Sequence, residues 1–218
     1  LQFDKVYTEG ISKITAQDVK YAEDLGFRIK HLGIARRAAN GIELRVHPTL
    51  IPSEELIANV NGVKNAVLVQ AHAVGPTLYY GAGAGAGPTA SAVVADVIDI
   101  VRDISYTEDG AGTIPQLAFE ALTNVPILSR EEMTTGYYIR LNAEDQTGVL
   151  ADVTTILSRA GISIDAIMQQ SRLKDLIPIV ILTDPVLESK MDEALAQIQA
   201  LPTIHGEIIR IRLESLDS

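Results

Sequence analysis

Cysteine is absent from all 218 residues, so the chain has no disulfide, no thiol nucleophile and no thiolate metal site. That absence suits a reducing compartment, and a cytoplasmic location is expected. No apolar stretch reaches the roughly eighteen residues that a membrane-spanning helix needs. The opening LQFDKVYTEG lacks the basic-then-apolar pattern of a signal peptide. It also lacks Met and starts beside an extended segment, so a portion of a longer protein is expected. Positive charge is scarce, with 18 Lys and Arg against 28 Asp and Glu, which argues against nucleic acid or an anionic membrane as partner. Metal-ligand spacing is missing too: His31, His47, His72 and His205 form no HExxH-like set. Neither a Ser-His-Asp arrangement nor a carboxylate pair can be assembled from residue order, so no catalytic residue and no metal ligand is assigned.

What is present is an ordinary globular composition, 47% hydrophobic and 21% charged. Its acid is uneven. Residues 1–105 carry ten basic and eleven acidic side chains, while 106–218 carry eight and seventeen, a first sign of two units.

Thr15 and Asp18 form a capping-box pattern with Ile14 and Val19 at staple positions, and Val19, Ala22 and Leu25 continue a helix that Gly26 ends. Asn40-Gly41 between two extended runs predicts a hairpin, because both turn residues would need positive φ. IPSEELIANV reads as a short helix capped by Ser53, and NAVLVQAHAV and TLYYG read as strands around a Gly75-Pro76 turn. His31 and His72 fall within strands as half-buried hydrogen-bonded side chains. His47, before Pro48 at a strand end, is the better candidate for a polar contact.

The run GAGAGAG from Gly81 to Gly87 precedes Pro88 and a largely apolar helix over 89–104, expected to be buried between a sheet and another element. The run nearly fits GxGxxG, but it closes an antiparallel region and no parallel strand follows, which excludes a dinucleotide fingerprint. Two readings remain. Small residues allow close packing of the backbone, or bare backbone meets a ligand at a helix N-terminus.

Residues 106–135 read as a linker with a helical turn or two. From Gly136 onward the pattern is β-α-β-β-α-β. Val149, Val153, Ile156, Leu157 and Ala160 mark one buried helix face. Leu187, Met191, Ala194, Leu195 and Ile198 mark the other, on a helix opened by Asp184-Pro185. A four-stranded antiparallel sheet covered on one face follows. The polar loop EDQTG has two readings. Asp145 and Thr147 cap the first helix, or free loop amides with Asp145, Gly148 and Ser163 hold an amino-acid effector at a subunit interface.

DQTGVLADVTTILSRAGISI resembles the ACT-domain pattern, with Thr147 where proline is usual, which leaves the loop less rigid. VYTEGISKIT, LRVHPTLIP and YYGAGAGAGPTASAVVADVIDI resemble the later part of the catalytic domain of homoserine dehydrogenase in its ACT-bearing form. The resemblance implies an α+β chain. A partial α/β catalytic and dimerisation sheet domain (1–105) precedes a ferredoxin-like βαββαβ ACT domain (136–218). It implies interconversion of L-homoserine and L-aspartate 4-semialdehyde with NAD(P), in the biosynthesis of threonine, methionine and isoleucine, with feedback by an amino acid such as threonine. It places Gly85 beside the nicotinamide. The family's cofactor domain, catalytic lysines and homoserine-binding acids would precede Leu1, so this chain alone is expected to be catalytically incomplete and to bind no cofactor tightly. A dimer or larger homo-oligomer is expected, since paired ACT sheets cover open strand edges. The alternative is a stand-alone module that binds an amino acid without catalysis.

Overall fold

Two twelve-residue strands dominate the start of the chain. In the computed structural model, which describes residues 2–106, 123–169 and 176–215, β1 (Tyr7–Thr8) and α1 (Ala16–Asp24) precede a long hairpin of β2 (Phe27–Ala38) and β3 (Gly41–Pro52). The capping box of α1 forms: Asp18 N–H donates to Thr15 Oγ1 and Thr15 N–H donates to Asp18 Oδ2. The inward face of α1 is Asp18, Tyr21 and Ala22, while Val19 is exposed, contrary to its expected place in a staple.

The hairpin turns one residue earlier than Asn40-Gly41 predicts. Ala38 pairs with Gly41, leaving Ala39 and Asn40 as the turn. Gly41 serves a different purpose, because a Cβ there would lie 2.4 Å from the Pro126 carbonyl oxygen. The segment 126–128 needs that space, bridging to β3 through Ile127: Ile42 N–H donates to Pro126 O at 2.9 Å and Leu128 N–H donates to Ile42 O at 3.0 Å.

The βαββαβ unit forms as expected, from β6 (Thr134–Glu144), α3 (Val149–Arg159), β7 (Ile164–Gln169), β8 (Leu176–Leu187), α4 (Glu188–Gln199) and β9 (Ile204–Leu213), with strand order β9-β6-β8-β7. Its polar SRLKD connection lies within the residues that are not described. Asp184-Pro185 does not open α4. The two residues lie in β8 at a bulge, where the pairing shifts from Thr135↔Val186 to Tyr137↔Thr183, and a bulge is where a strand tolerates a residue without an N–H.

The sheet is covered on both faces, not one. Tyr137, Ile139, Val153, Leu157, Met191 and Ile198 form one core under α3 and α4. On the other side Tyr138, Val180, Leu182 and Ile211 meet Tyr21, Ala22 and Leu50. The sheet itself continues into the N-terminal hairpin, for β3 runs parallel to β9 with Thr49↔Arg212 and Leu50↔Leu213. Leu1–Ala58 and Val125–Ser218 are therefore one compact unit, and Asn59–Asn124 are a second. The motif segments 1–105 and 136–218 thus do not coincide with the packing units.

In the second unit β4 (Lys64–Ala71) and β5 (Gly75–Ala82) form a hairpin, followed by α2 (Ala86–Tyr106). Its turn is His72–Val74, closed by Gly75 at φ 75°, so His72 lies in the turn and Pro76 in the strand. IPSEELIANV gives only a single 3₁₀ turn, Leu56–Asn59. The expected burial of α2 does not occur among the described residues: Val93, Val97, Val101 and Ile104 are all more than half exposed.

Candidate functional site

The glycine run is closely packed at one position and open at others. At Gly83 a Cβ would sit 1.2 Å from Asn65 Nδ2, and the N–H donates to Val63 O at 2.9 Å, so this glycine permits close packing. Gly85 differs. Its φ is 116°, a left-handed region that side chains avoid, and its carbonyl accepts from Thr89 N–H at 3.0 Å to start α2. Gly87 has no atom within 4 Å of where a Cβ would stand. The backbone at the head of α2 is thus uncovered, with the first-turn amides that every helix leaves without an internal acceptor.

In the ACT-like loop, Asp145 lies just after β6 and Gly148 forms the N-cap of α3 at φ 98°. The N-cap position falls on a residue with no side chain, so the cap residue itself offers no side-chain acceptor. Ser163 is elsewhere. It precedes Ile164, which pairs with Thr183, which in turn pairs with Tyr137, whereas the loop follows Glu144 opposite Leu176. Seven residues of strand separate these levels, about 23 Å at the usual rise. One chain alone does not bring Ser163 to Asp145 and Gly148.

The densest polar constellation lies between the N-terminal segment and α4. Arg212, 1% exposed, donates through Nε to Glu188 Oε2 at 3.0 Å and through Nη2 to Oε1 at 2.5 Å. Its Nη1 donates to Glu9 Oε2 at 2.8 Å, and Tyr137 OH donates to Glu188 Oε2 at 2.7 Å. Burial pushes the Glu188 carboxyl up, but the bonds and charge of Arg212 outweigh it and hold it below the ordinary range. Arg210 and Arg130 flank the pair and both reach Asp192.

A second buried pair joins Asp18 to Arg140, with Nε to Oδ1 at 2.5 Å and Nη2 to Oδ2 at 3.0 Å. A third group surrounds His47, which is fully buried. Its Nδ1 lies 2.9 Å from the Pro48 carbonyl and its Nε2 lies 3.0 Å from Arg45 Nη1, which assigns the proton to Nδ1 of a neutral ring. Burial lowers its pKa to about 4. His31 is exposed and contacts Glu9 O at 3.1 Å, and exposed His205 pairs with half-buried Glu144. No group of metal-ligating residues occurs among the described residues, and no described helix is long and apolar enough to cross a membrane.

The βαββαβ sheet, with α3 and α4 on one face, continues through its edge strand β9 into the β2–β3 hairpin, so this is an α+β protein in which a ferredoxin-like domain is joined to an N-terminal segment. Comparison with known proteins makes this specific. Residues 1–98 match the homoserine dehydrogenase family model and residues 137–203 match the ACT domain model. The homoserine dehydrogenase of Pseudomonas aeruginosa is 55% identical over 100% of this chain and 50% of its own length. That of Corynebacterium glutamicum is 37% identical over 97% of this chain and 47% of its own. A solved homoserine dehydrogenase from Thiobacillus denitrificans superposes with a TM-score of 0.89 at 56% identity, over 99% of this chain and 49% of that one. The chain carries a homoserine dehydrogenase family domain followed by an ACT domain. It spans about half the length of the curated relatives it matches.

Proposed function

We propose that this chain forms the C-terminal half of an NAD(P)-dependent homoserine dehydrogenase that is regulated through its ACT domain. The observation that carries the reading is the 55% identity to the Pseudomonas aeruginosa enzyme, sustained over the whole chain. The reaction oxidises the C4 alcohol of L-homoserine to the aldehyde of L-aspartate 4-semialdehyde, releasing one proton. The nicotinamide, when bound, accepts the hydride.

The contribution of this chain to that site is backbone. Gly85 carries no side chain, holds a left-handed φ and starts α2, so a flat ring can approach its main chain without meeting a Cβ. Helix α2 presents Val97 and Val101 to solvent, an apolar surface suited to burial against a second copy in a homodimer or larger assembly. In the ACT domain, the β6–α3 loop with Asp145 and Gly148 of one subunit and Ser163 of another would frame an amino-acid effector such as threonine. Location in the cytoplasm, use of NADP and a place in threonine, methionine and isoleucine biosynthesis belong to the same reading.

The test is a chimera in which this chain replaces the matching half of the Pseudomonas aeruginosa enzyme. Gly85→Val in that chimera is expected to raise KM for the nicotinamide cofactor about tenfold or more, because a β-branched side chain both strains φ and fills the approach. An unchanged cofactor KM would remove Gly85 from the site.

A further inference from the structure

A cavity of about 310 Å³ opens between the segment before α1 and the α4–β9 end of the ACT domain. Its walls carry both signs of charge, Lys13 and Arg210 against Glu9, Asp192 and Glu207. Ile14 and Leu195 supply apolar surface between them.

These charges are held in place. Arg210 Nη1 donates to Asp192 Oδ1 at 2.5 Å, Nη2 lies 3.2 Å from Glu188 Oε1, and the guanidinium lies 5.8 Å from the centroid of the Tyr137 ring. Glu9 takes the Tyr7 hydroxyl at 2.7 Å and Arg212 at 2.8 Å, both on Oε2. Lys13 pairs with Glu207, and both side chains are more than half exposed. An exposed pair of that kind contributes little to stability, so a ligand charge can displace one partner at small cost.

We propose that this cavity binds a small zwitterion of amino-acid size. Its carboxylate lies between Lys13 and Arg210, its ammonium faces Glu9 and Asp192, and its side chain rests on Ile14 and Leu195. The volume stands at the lower end of small-molecule sites and suits a ligand of amino-acid size. The wall charges pair with one another, Arg210 with Asp192 and Lys13 with Glu207, so a simple anion or cation would strand the partner it displaces, whereas a zwitterion supplies a charge to each side. The site shares no residue with the β6–α3 loop. Occupancy would clamp residues 9–14 of the catalytic part onto the last helix and strand of the ACT domain.

The test is titration calorimetry of the 218-residue chain with L-threonine, L-valine and L-isoleucine, and with the amide and N-acetyl derivative of each. At least one free amino acid is expected to bind. Loss of either ligand charge should weaken it about tenfold or more. Lys13→Ala should weaken binding by a similar factor, and Ala196→Phe, which places a ring on an exposed wall position, should abolish it. Both variants should keep the unliganded melting temperature, which separates a lost site from a lost fold. Absence of heat with every amino acid at millimolar concentration overturns the proposal. So does binding that survives both cavity variants. If that surviving heat disappears in Asp145→Ala, the ligand sits in the β6–α3 loop, and feedback through the loop stands while the cavity site falls.

Discussion

Arg212 and Glu188 form a two-bond ion pair that is almost wholly closed to water, and Glu9 from the start of the chain completes it. The pair fastens β9 to the first turn of α4 and extends to the segment beside β1. Taking away one member leaves a buried charge without its partner, which costs about 3–5 kcal/mol. Glu188→Gln and Arg212→Met are each expected to lower stability by that amount. For a chain of this size that corresponds to roughly 10 °C in melting temperature. Thermal unfolding followed by circular dichroism is the check, and a shift of a degree or two would show that the pair is not structural.

His47 sets the first acid-sensitive step. Its pKa in the folded chain is about 4 against the ordinary 6.5, so the unfolded chain takes up the proton first. Its contribution is therefore complete above pH 6.5 and is lost progressively as pH falls toward 4. By pH 5 the loss amounts to about 2 kcal/mol. Glu9 and Glu188, whose carboxyls are held low, lose theirs only below their unfolded pKa of 4.5, and Asp18 only below 3.8. Urea unfolding at pH 7 and pH 5 should show the His47 step in the parent chain, and His47→Gln should remove most of it.

Gly41→Ala is a backbone test. The added methyl would fall 2.4 Å from Pro126 O, a main-chain atom that cannot rotate away. The expected cost is about 1–3 kcal/mol, from displacing the 126–128 segment off β3. Gly26→Ala is a useful comparison, since it has open space but a φ of 83°, so its cost comes from φ alone. Equal melting temperatures for parent and Gly41→Ala would show that the 126–128 contact is not maintained in solution.

The apolar surface of α2 predicts self-association. Val97 and Val101 lie one turn apart, 53% and 56% exposed. Light scattering of the parent should report a dimer or larger species at micromolar concentration. Val97→Glu with Val101→Glu should shift it toward monomer without changing the helix content. A parent that is monomeric would leave this surface without its proposed partner.

The βαββαβ order was legible in the sequence because each helix repeats its apolar residues at helical spacing and Gly161 marks a stop. The second covered face was legible in part. IPIVIL in β8 is a near-continuous apolar run, which is what a strand buried on both sides shows, but it does not say what covers it. The covering came from α1 and Leu50, more than a hundred residues away. The buried ion pairs had one local sign, Arg210 and Arg212 two apart in a strand whose other face is Ile209 and Ile211. Their partners, Glu188 and Glu9, follow only from the fold. Gly41 shows the reverse case: its neighbour Asn40 suggested a turn glycine, while its actual requirement is set by Pro126. Gly85 was placed by family resemblance, and the sequence by itself left the glycine run open between packing and binding.

If this chain supplies the C-terminal half of a homoserine dehydrogenase, the chimera with the Pseudomonas aeruginosa enzyme forms NADPH in a homoserine-dependent reaction. Turnover within about tenfold of the parent enzyme is expected, a loss of less than about 1.4 kcal/mol in transition-state stabilisation. A chimera that is folded and assembled but shows no homoserine-dependent NADPH formation would contradict it.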